Sequence, residues 1–276
     1  MSATGGTFAW TDDAGVMHSL DRANLRARAL TNLYSVPPLR GEDVPIASYP
    51  GEGFLEKQHS PRRVDLELLI YDQAAVLSNV YDMILELGQA FGIHRQGTLT
   101  HYRPDGKVVS AQAQVNGWTS KRSNSGPFNP VQQGPMGIWY IAIVPFTLAD
   151  PYFYGPAITT TTDVSSGSAV QTVTHPGTVR GWKPVLTLTG AASNPEIANA
   201  ANSVSVQALV TVPGGQNLII DCGAWTALLN GTSVIGSIRH SGAFPFMFFE
   251  PGANPLTVTG GGSGATLTTV FAPPYF

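Results

Sequence analysis

Asp150-Pro151-Tyr152-Phe153-Tyr154-Gly155-Pro156 is the stretch on which the fold turns. Its two prolines deny a β-ladder its donors, so a sheet that reaches this point stops here. Four threonines follow at 159–162, then Ser165-Ser166-Gly167-Ser168. Before residue 156 lie 26 of the 33 Asp, Glu, Lys and Arg residues, and seven lie beyond it. The far side is rich in Thr, Gly, Ala, Val and Pro, with short apolar runs between turn signals. The break predicts two differently built domains, 1–155 and 156–276.

Upstream of the break, Val64, Leu66, Leu68 and Ile70 alternate with Asp65, Glu67, Leu69 and Tyr71, the period of a strand with one buried face. Asp72 suits an N-cap. From Ala74 to Gln89 the residues Val76, Leu77, Val80, Tyr81, Ile84, Leu85 and Leu87 recur at helical spacing, and Gly88 or Gly92 can end the helix. Strands are predicted at 98–102, at 108–118 after the turn Arg103-Pro104-Asp105-Gly106-Lys107, and at 137–149. Residues 121–134 read as a polar loop. Trp118, Trp139 and Ile141 are expected on the core side with Val80, Ile84 and Leu87. One substantial helix against antiparallel strands makes a small α+β domain. The segment 21–31 fits either a short helical turn or an extended cover.

Residues 33–56 read as an arm. Pro37, Pro38 and Pro45 withhold backbone donors, while Gly41, Gly51 and Gly53 suit turns. Beyond 156 the pattern is all strand, with candidates at 169–174, 184–189, 204–211, 217–221, 225–229, 233–237, 246–249, 254–259 and 265–271. The turns at Asn230-Gly231 and Pro251-Gly252 support this count, which fits a β-sandwich with jelly-roll-like connections. The threonine run is a linker or the first edge of that domain.

A net charge of −3 and a pI near 6.0 give a nucleic-acid partner no electrostatic support. The single cysteine, Cys222, sits in an apolar run and reads as a buried thiol. The start of the chain lacks a basic region followed by an apolar run, and no stretch reaches 18 apolar residues, so neither a signal peptide nor a spanning helix is expected. The six histidines show no metal-binding spacing; His94 and His101, seven apart, approach only if a turn separates them. Asp12-Asp13 and Glu42-Asp43 read as acidic surface. No catalytic cluster, cofactor site or metal site is expected.

Asp150-Pro151-Tyr152-Phe153 is followed in order by Asn194-Pro195-Glu196-Ile197, Leu218-Ile219-Ile220-Asp221, Leu228-Leu229-Asn230-Gly231 and the run from Glu250 to Val258. This series resembles the distal tail protein (Dit) family of long, flexible-tailed bacteriophages. Pro38-Leu39-Arg40-Gly41-Glu42 resembles part of that family's N-terminal arm. The resemblance implies a mainly β protein with a tube-like, ring-forming N-terminal domain and a galectin-like β-sandwich. It implies a virion component at the tail tip, assembled in the host cytoplasm and without enzymatic activity. Six copies would close a ring between the tail tube protein and a tail tip or hub protein. A receptor-binding protein is a candidate partner, genomic DNA would pass transiently through the lumen, and no membrane partner is implied.

Several site residues follow. Tyr34, Pro37, Pro38, Leu39, Arg40, Gly41 and Pro45 are expected in the ring interface. Gln112, Gln114 and Asn116 are lumen candidates, since a DNA passage should be polar yet free of a strong positive field. Trp182 and Trp225 are candidates for sugar or partner contact. A carbohydrate-binding module on an oligomerising domain is the alternative reading.

Overall fold

The computed structural model describes residues 7–30, 33, 39–40, 44–45, 52–53, 58–74, 76–120, 131–134, 137–181, 183–241 and 246–276. The chain divides into two compact units, one of Met1–Phe153 with Phe276 and the other of Tyr154–Tyr275. The division falls inside the Asp150–Pro156 stretch.

The first unit contains β1 (Thr7–Thr11), β2 (Met17–Ser19), β3 (Leu25–Ala29), β4 (Leu39–Arg40), β5 (Val44–Pro45), β6 (Glu52–Gly53), β7 (Gln58–His59) and β8 (Arg62–Asp72). It continues with α1 (Leu77–Phe91), β9 (Ile93–Tyr102), β10 (Val108–Asn116), β11 (Thr119–Ser120), β12 (Val131–Gly134) and β13 (Gly137–Leu148), and β14 (Phe153–Tyr154) lies at the division. The main sheet runs β2-β1-β9-β10-β13-β8-β3. Its longest ladder joins β13 to β8 from Ile138↔Asp72 to Leu148↔Arg62.

Alternation decides which face is buried. Val64, Leu66, Leu68 and Ile70 of β8 are fully buried, as are Ala142, Val144, Phe146 and Leu148 of β13. Val80, Leu87, Ala90 and Phe91 of α1 close over that face. Trp10 donates its indole N–H to the Ala90 carbonyl at 3.1 Å and lies 5.3 Å from the Phe146 ring. Gly97 is required there, because a Cβ would fall 2.2 Å from the Thr11 carbonyl and 2.6 Å from the Trp10 ring. Pro145 is tolerated in mid-strand because the neighbouring ladder is interrupted beside it: β10 pairs with Phe146 and Thr147, and β11 with Ala142 and Ile143.

Several sequence expectations need correction. Trp139 and Ile141 lie half-buried on the sheet face opposite the core; the core set is Ile138, Tyr140, Ala142, Val144, Phe146 and Leu148. Trp118 does face the helix, with its ring 6.3 Å from Phe91 and 6.2 Å from Tyr140. The helix starts at Leu77, later than Ala74, because the Asp72 carboxylate holds a preceding turn, accepting from the N–H groups of Ala74 and Val76. It ends at Gly92, whose N–H reaches the Gly88 carbonyl. Residues 25–29 are extended, paired with β8. Residues 131–134 are a strand on β13 rather than loop.

The second unit consists of strands β15 (Ile158–Asp163), β16 (Ser168–His175), β17 (Val185–Thr189), β18 (Ala192–Asn199), β19 (Val204–Ala208), β20 (Thr211–Val212) and β21 (Asn217–Asp221). They are followed by β22 (Thr226–Leu229), β23 (Thr232–Ser233), β24 (Ile238–Ser241), β25 (Gly252–Gly261), β26 (Thr266–Phe271) and β27 (Pro274–Tyr275). One sheet runs β15-β26-β17-β21-β22-β23; the other runs β16-β25-β18-β19-β24 with β20 beside β18. Their inner faces share one apolar core, including Leu186, Ile197, Val206, Ile220, Val258 and Leu267, so the unit is a β-sandwich. The threonine run is its edge strand, paired along Ile158–Asp163 with β26.

Three buried polar side chains tie this sandwich together. Gln171 donates to the carbonyls of Thr160 and Leu267 and accepts from the Thr269 hydroxyl at 2.6 Å. Asn199 donates to the Phe248 carbonyl and to Asn254 Oδ1. Asn254 also holds the Glu250 N–H and donates to the carbonyls of Glu250 and Gly252. Residues 246–249, expected as a strand, are instead a buried irregular segment that these asparagines satisfy.

Candidate functional site

The face of the first sheet that points away from α1 is the candidate site. Along β10, Val109, Ala111, Ala113 and Val115 point to the core, so Gln112, Gln114 and Asn116 point the other way. Gln112 and Asn116 are exposed, and Gln114 is half-buried. Gln112 donates to the Thr98 hydroxyl at 2.9 Å, and Asn116 donates to the Thr147 hydroxyl at 2.8 Å. The register extends this polar surface: Thr11, Thr98 and Gln112 share one row, and Ala9, Thr100 and Ser110 the next. No charged side chain stands in these two rows.

On the β8 and β3 side the same face carries charge, but in neutralising pairs. Arg63 bonds Asp65 at 2.7 Å, and Arg28 reaches the nearly buried Glu67 at 2.5 Å. Arg26 pairs with Asp21, which keeps the guanidinium more firmly protonated. The face therefore combines an uncharged region with a self-compensated one. Sequence alternation located the three β10 residues; it did not locate Thr98, Thr147 or the Arg28–Glu67 pair, which only the strand register brings into place.

The arm is described at a few rungs. Leu39 and Arg40 pair with His59 and Gln58, and Val44 and Pro45 pair with Gly53 and Glu52. These rungs nest inside the β3–β8 pairing of Leu25↔Ile70 through Ala29↔Leu66. Both rungs continue the hairpin that β3 and β8 begin. Pro45 fits a two-residue ladder open on one side. Tyr34, Pro37, Pro38 and Gly41 lie outside the described residues, as does Trp182.

Trp225 ends the loop between β21 and β22. Asp221 Oδ1 accepts the N–H groups of Gly223 and Ala224, each at 2.8 Å, and Trp225 adopts a φ of 58°. The indole is 61% exposed and lies 6.1 Å from the Phe246 ring. Left-handed backbone is uncommon for so large a residue.

The remaining reactive groups are engaged in structure. Burial pushes the Cys222 thiol up to about 12. His101, stacked on Phe8 at 4.6 Å, is held down to about 4, chiefly by burial. His175 accepts the Gly177 N–H at Nδ1 and donates from Nε2 to the Val179 carbonyl, and burial lowers its pKa. His94 and His101 occupy one strand, β9, with no turn between them. Extended chain over seven residues spans about 23 Å, so the two do not converge. Asp12 accepts the N–H groups of Ala14 and Val16 and pairs with His18, the first of these contacts doing most to lower its pKa. Among the described residues no three His, Cys, Asp or Glu side chains gather to hold a metal. No described helix is long and apolar enough to cross a membrane.

Comparison with known proteins gives the second unit a family. Residues 176–275 match the family described as siphovirus-type tail component, C-terminal domain. No curated protein matches the sequence. The crystal structure of the SPP1 Dit (gp 19.1) protein, described as a paradigm of the hub adsorption apparatus in Gram-positive infecting phages, is 14% identical. That match covers 98% of this chain and 99% of that one with a TM-score of 0.63, so the two share a fold. A chain of the phage P2 baseplate in its activated conformation with Ca is 8% identical, covering 97% of each chain at a TM-score of 0.42. The corresponding baseplate with Sr gives 9% identity, 96% and 97% coverage and a TM-score of 0.41.

Proposed function

We propose that this chain, whose C-terminal domain places it in the siphovirus-type tail component family, is a non-enzymatic hub that closes with copies of itself into a ring at the tail tip. Six copies would join the tail tube protein to a tip or hub protein, with the first unit lining the passage and the sandwich, galectin-like in this reading, outside. The observation that carries this is the fold shared with SPP1 Dit across both units. The outer face of the first sheet supports the channel role: Gln112, Gln114 and Asn116 offer hydrogen bonds without net positive charge, so duplex DNA would slide rather than bind. The buried, structurally committed state of Cys222, His101 and His175 supports a role without catalysis.

Electron microscopy and native mass measurement test the ring directly. A closed ring with a central channel is expected, and a monomer at every concentration would overturn the proposal. The exposed Trp225 favours a second reading, a sandwich that stacks a sugar. Calorimetry with host cell-wall polysaccharide decides it: saturable binding lost in Trp225→Ala supports sugar recognition, and no binding removes it.

A further inference from the structure

Helix α1 is apolar over a wider arc than the sheet beneath it covers. At about 100° per residue, its buried residues occupy an arc of about 100°. Leu77, Tyr81 and Leu85, spaced four apart, occupy the adjoining arc and are 47%, 47% and 62% exposed. A surface helix ordinarily buries its whole apolar stripe. Here half of the stripe faces outward.

A second exposed apolar pair lies elsewhere on the same unit. Val16 and Met17, 52% and 63% exposed, occupy the β1–β2 hairpin. That hairpin forms one end of the sheet, whereas α1 starts beside the end of β8, next to the other edge. A ring of identical subunits needs two different, complementary faces, since each copy's front meets its neighbour's back. Charge does not oppose the match. Glu86, beside the helix stripe, is bonded to Arg22 at 2.6 Å, and Arg95 lies within 3.8 Å of both Asp12 and Asp13 in the hairpin.

We infer that the Leu77–Tyr81–Leu85 flank of α1 packs against the Val16–Met17 hairpin of a second copy of this chain. The inference rests on the ring reading and names one of its interfaces. It also accounts for both apolar sets at once: each is too small alone to form a stable interface, and each supplies what the other lacks.

Two variants of the full chain test it, one with Tyr81→Asp and Leu85→Asp, the other with Val16→Asp and Met17→Asp. All four sites are exposed, so each variant should keep the wild-type circular dichroism spectrum. Should an Asp variant lose it, Leu85→Gln and Met17→Gln take its place. Sedimentation and native mass spectrometry should show self-association weakened about tenfold or more in each variant. An equimolar mixture should form dimers and nothing larger, because one variant keeps the helix flank and the other keeps the hairpin. Variants that still form wild-type rings overturn the inference and leave the ring reading intact. Variants that fail to associate, yet give no dimer when mixed, overturn the pairing of these two faces. A wild-type chain that never forms rings overturns the ring reading and the inference together.

Discussion

The two units solve the same problem, burying apolar surface, in opposite ways. The sandwich places one sheet on the other and seals its interior with hydrogen-bonded Gln171, Asn199 and Asn254. The first unit covers one face of a sheet with a single helix and leaves the other face, and half of the helix stripe, outside. It also holds most of the charge, much of it in short-range pairs such as Arg28–Glu67 and Arg63–Asp65. A unit whose polar groups turn inward to its own core is built to stand alone. A unit that leaves apolar and hydrogen-bonding surface outside is built to be completed by neighbours.

The harshest way to break this comparison is at Trp10. It is fully buried, bonded to Ala90, and in aromatic contact with Phe91 and Phe146. Trp10→Ala should cost the first unit about 3–5 kcal/mol, the usual range for a large aromatic removed from a core. Hydrogen exchange should show protection collapsing in β1, β9 and α1 while β17, β21 and β25 keep theirs. Equal loss in both units would mean that they share one cooperative core.

Acid sharpens the contrast next. His101 is neutral in the fold because burial opposes its charge, and its pKa falls from the ordinary 6.5 to about 4. The unfolded chain therefore takes up a proton first as pH drops. Stability is intact above about pH 6.5 and declines between there and about pH 4, by on the order of 3 kcal/mol. His101→Phe should flatten the pH dependence of first-unit exchange across that window. An unchanged slope would assign it to other groups.

In the sandwich the corresponding weak point is Asn254. Asn254→Ala leaves Asn199 and the Glu250 N–H without their acceptor and should cost about 2–3 kcal/mol. Exchange should rise first in 246–252, the irregular segment these bonds hold, and a thermal melt unchanged from wild type would count against the network's role.

How legible this was in the sequence depended on contrast between faces. In β8, Val64, Leu66 and Leu68 alternate with Asp65 and Glu67, and the strand reads correctly. In β13 both faces are apolar, so Trp139, Ile141 and Ile143 gave the opposite phase to the one that Tyr140, Ala142 and Val144 take in the fold. Strand β18 was hidden because Asn194, with φ 44°, and Pro195 look like a turn; they form an irregularity in the ladder between Ala192 and Glu196. Phe246, Phe248 and Phe249 look like a strand, and only the distant Asn199 and Asn254 explain why they are not one. Gln112, Gln114 and Asn116 were legible as one face of a strand. Their polar neighbours belong to strands far away in sequence, and no local pattern announces them.

The smallest change in stability should carry the clearest functional signal. Gln112→Lys, Gln114→Lys and Asn116→Lys replace exposed or half-buried side chains whose two described bonds are to threonine hydroxyls. Each should shift stability by within about 0.5 kcal/mol, as surface changes commonly do. If this face lines a channel, a ring of the triple variant places repeated positive charge around the passage. It should then hold duplex DNA at low salt and release it as salt rises, since each phosphate contact displaces counterions. The wild-type ring should bind DNA poorly under both conditions. DNA retention by wild-type rings at low salt would contradict the neutral face. A triple variant that assembles normally and gains no affinity would show that β10 does not face the lumen, and the contrast between a completed sandwich and an uncompleted sheet would then need another surface to explain it.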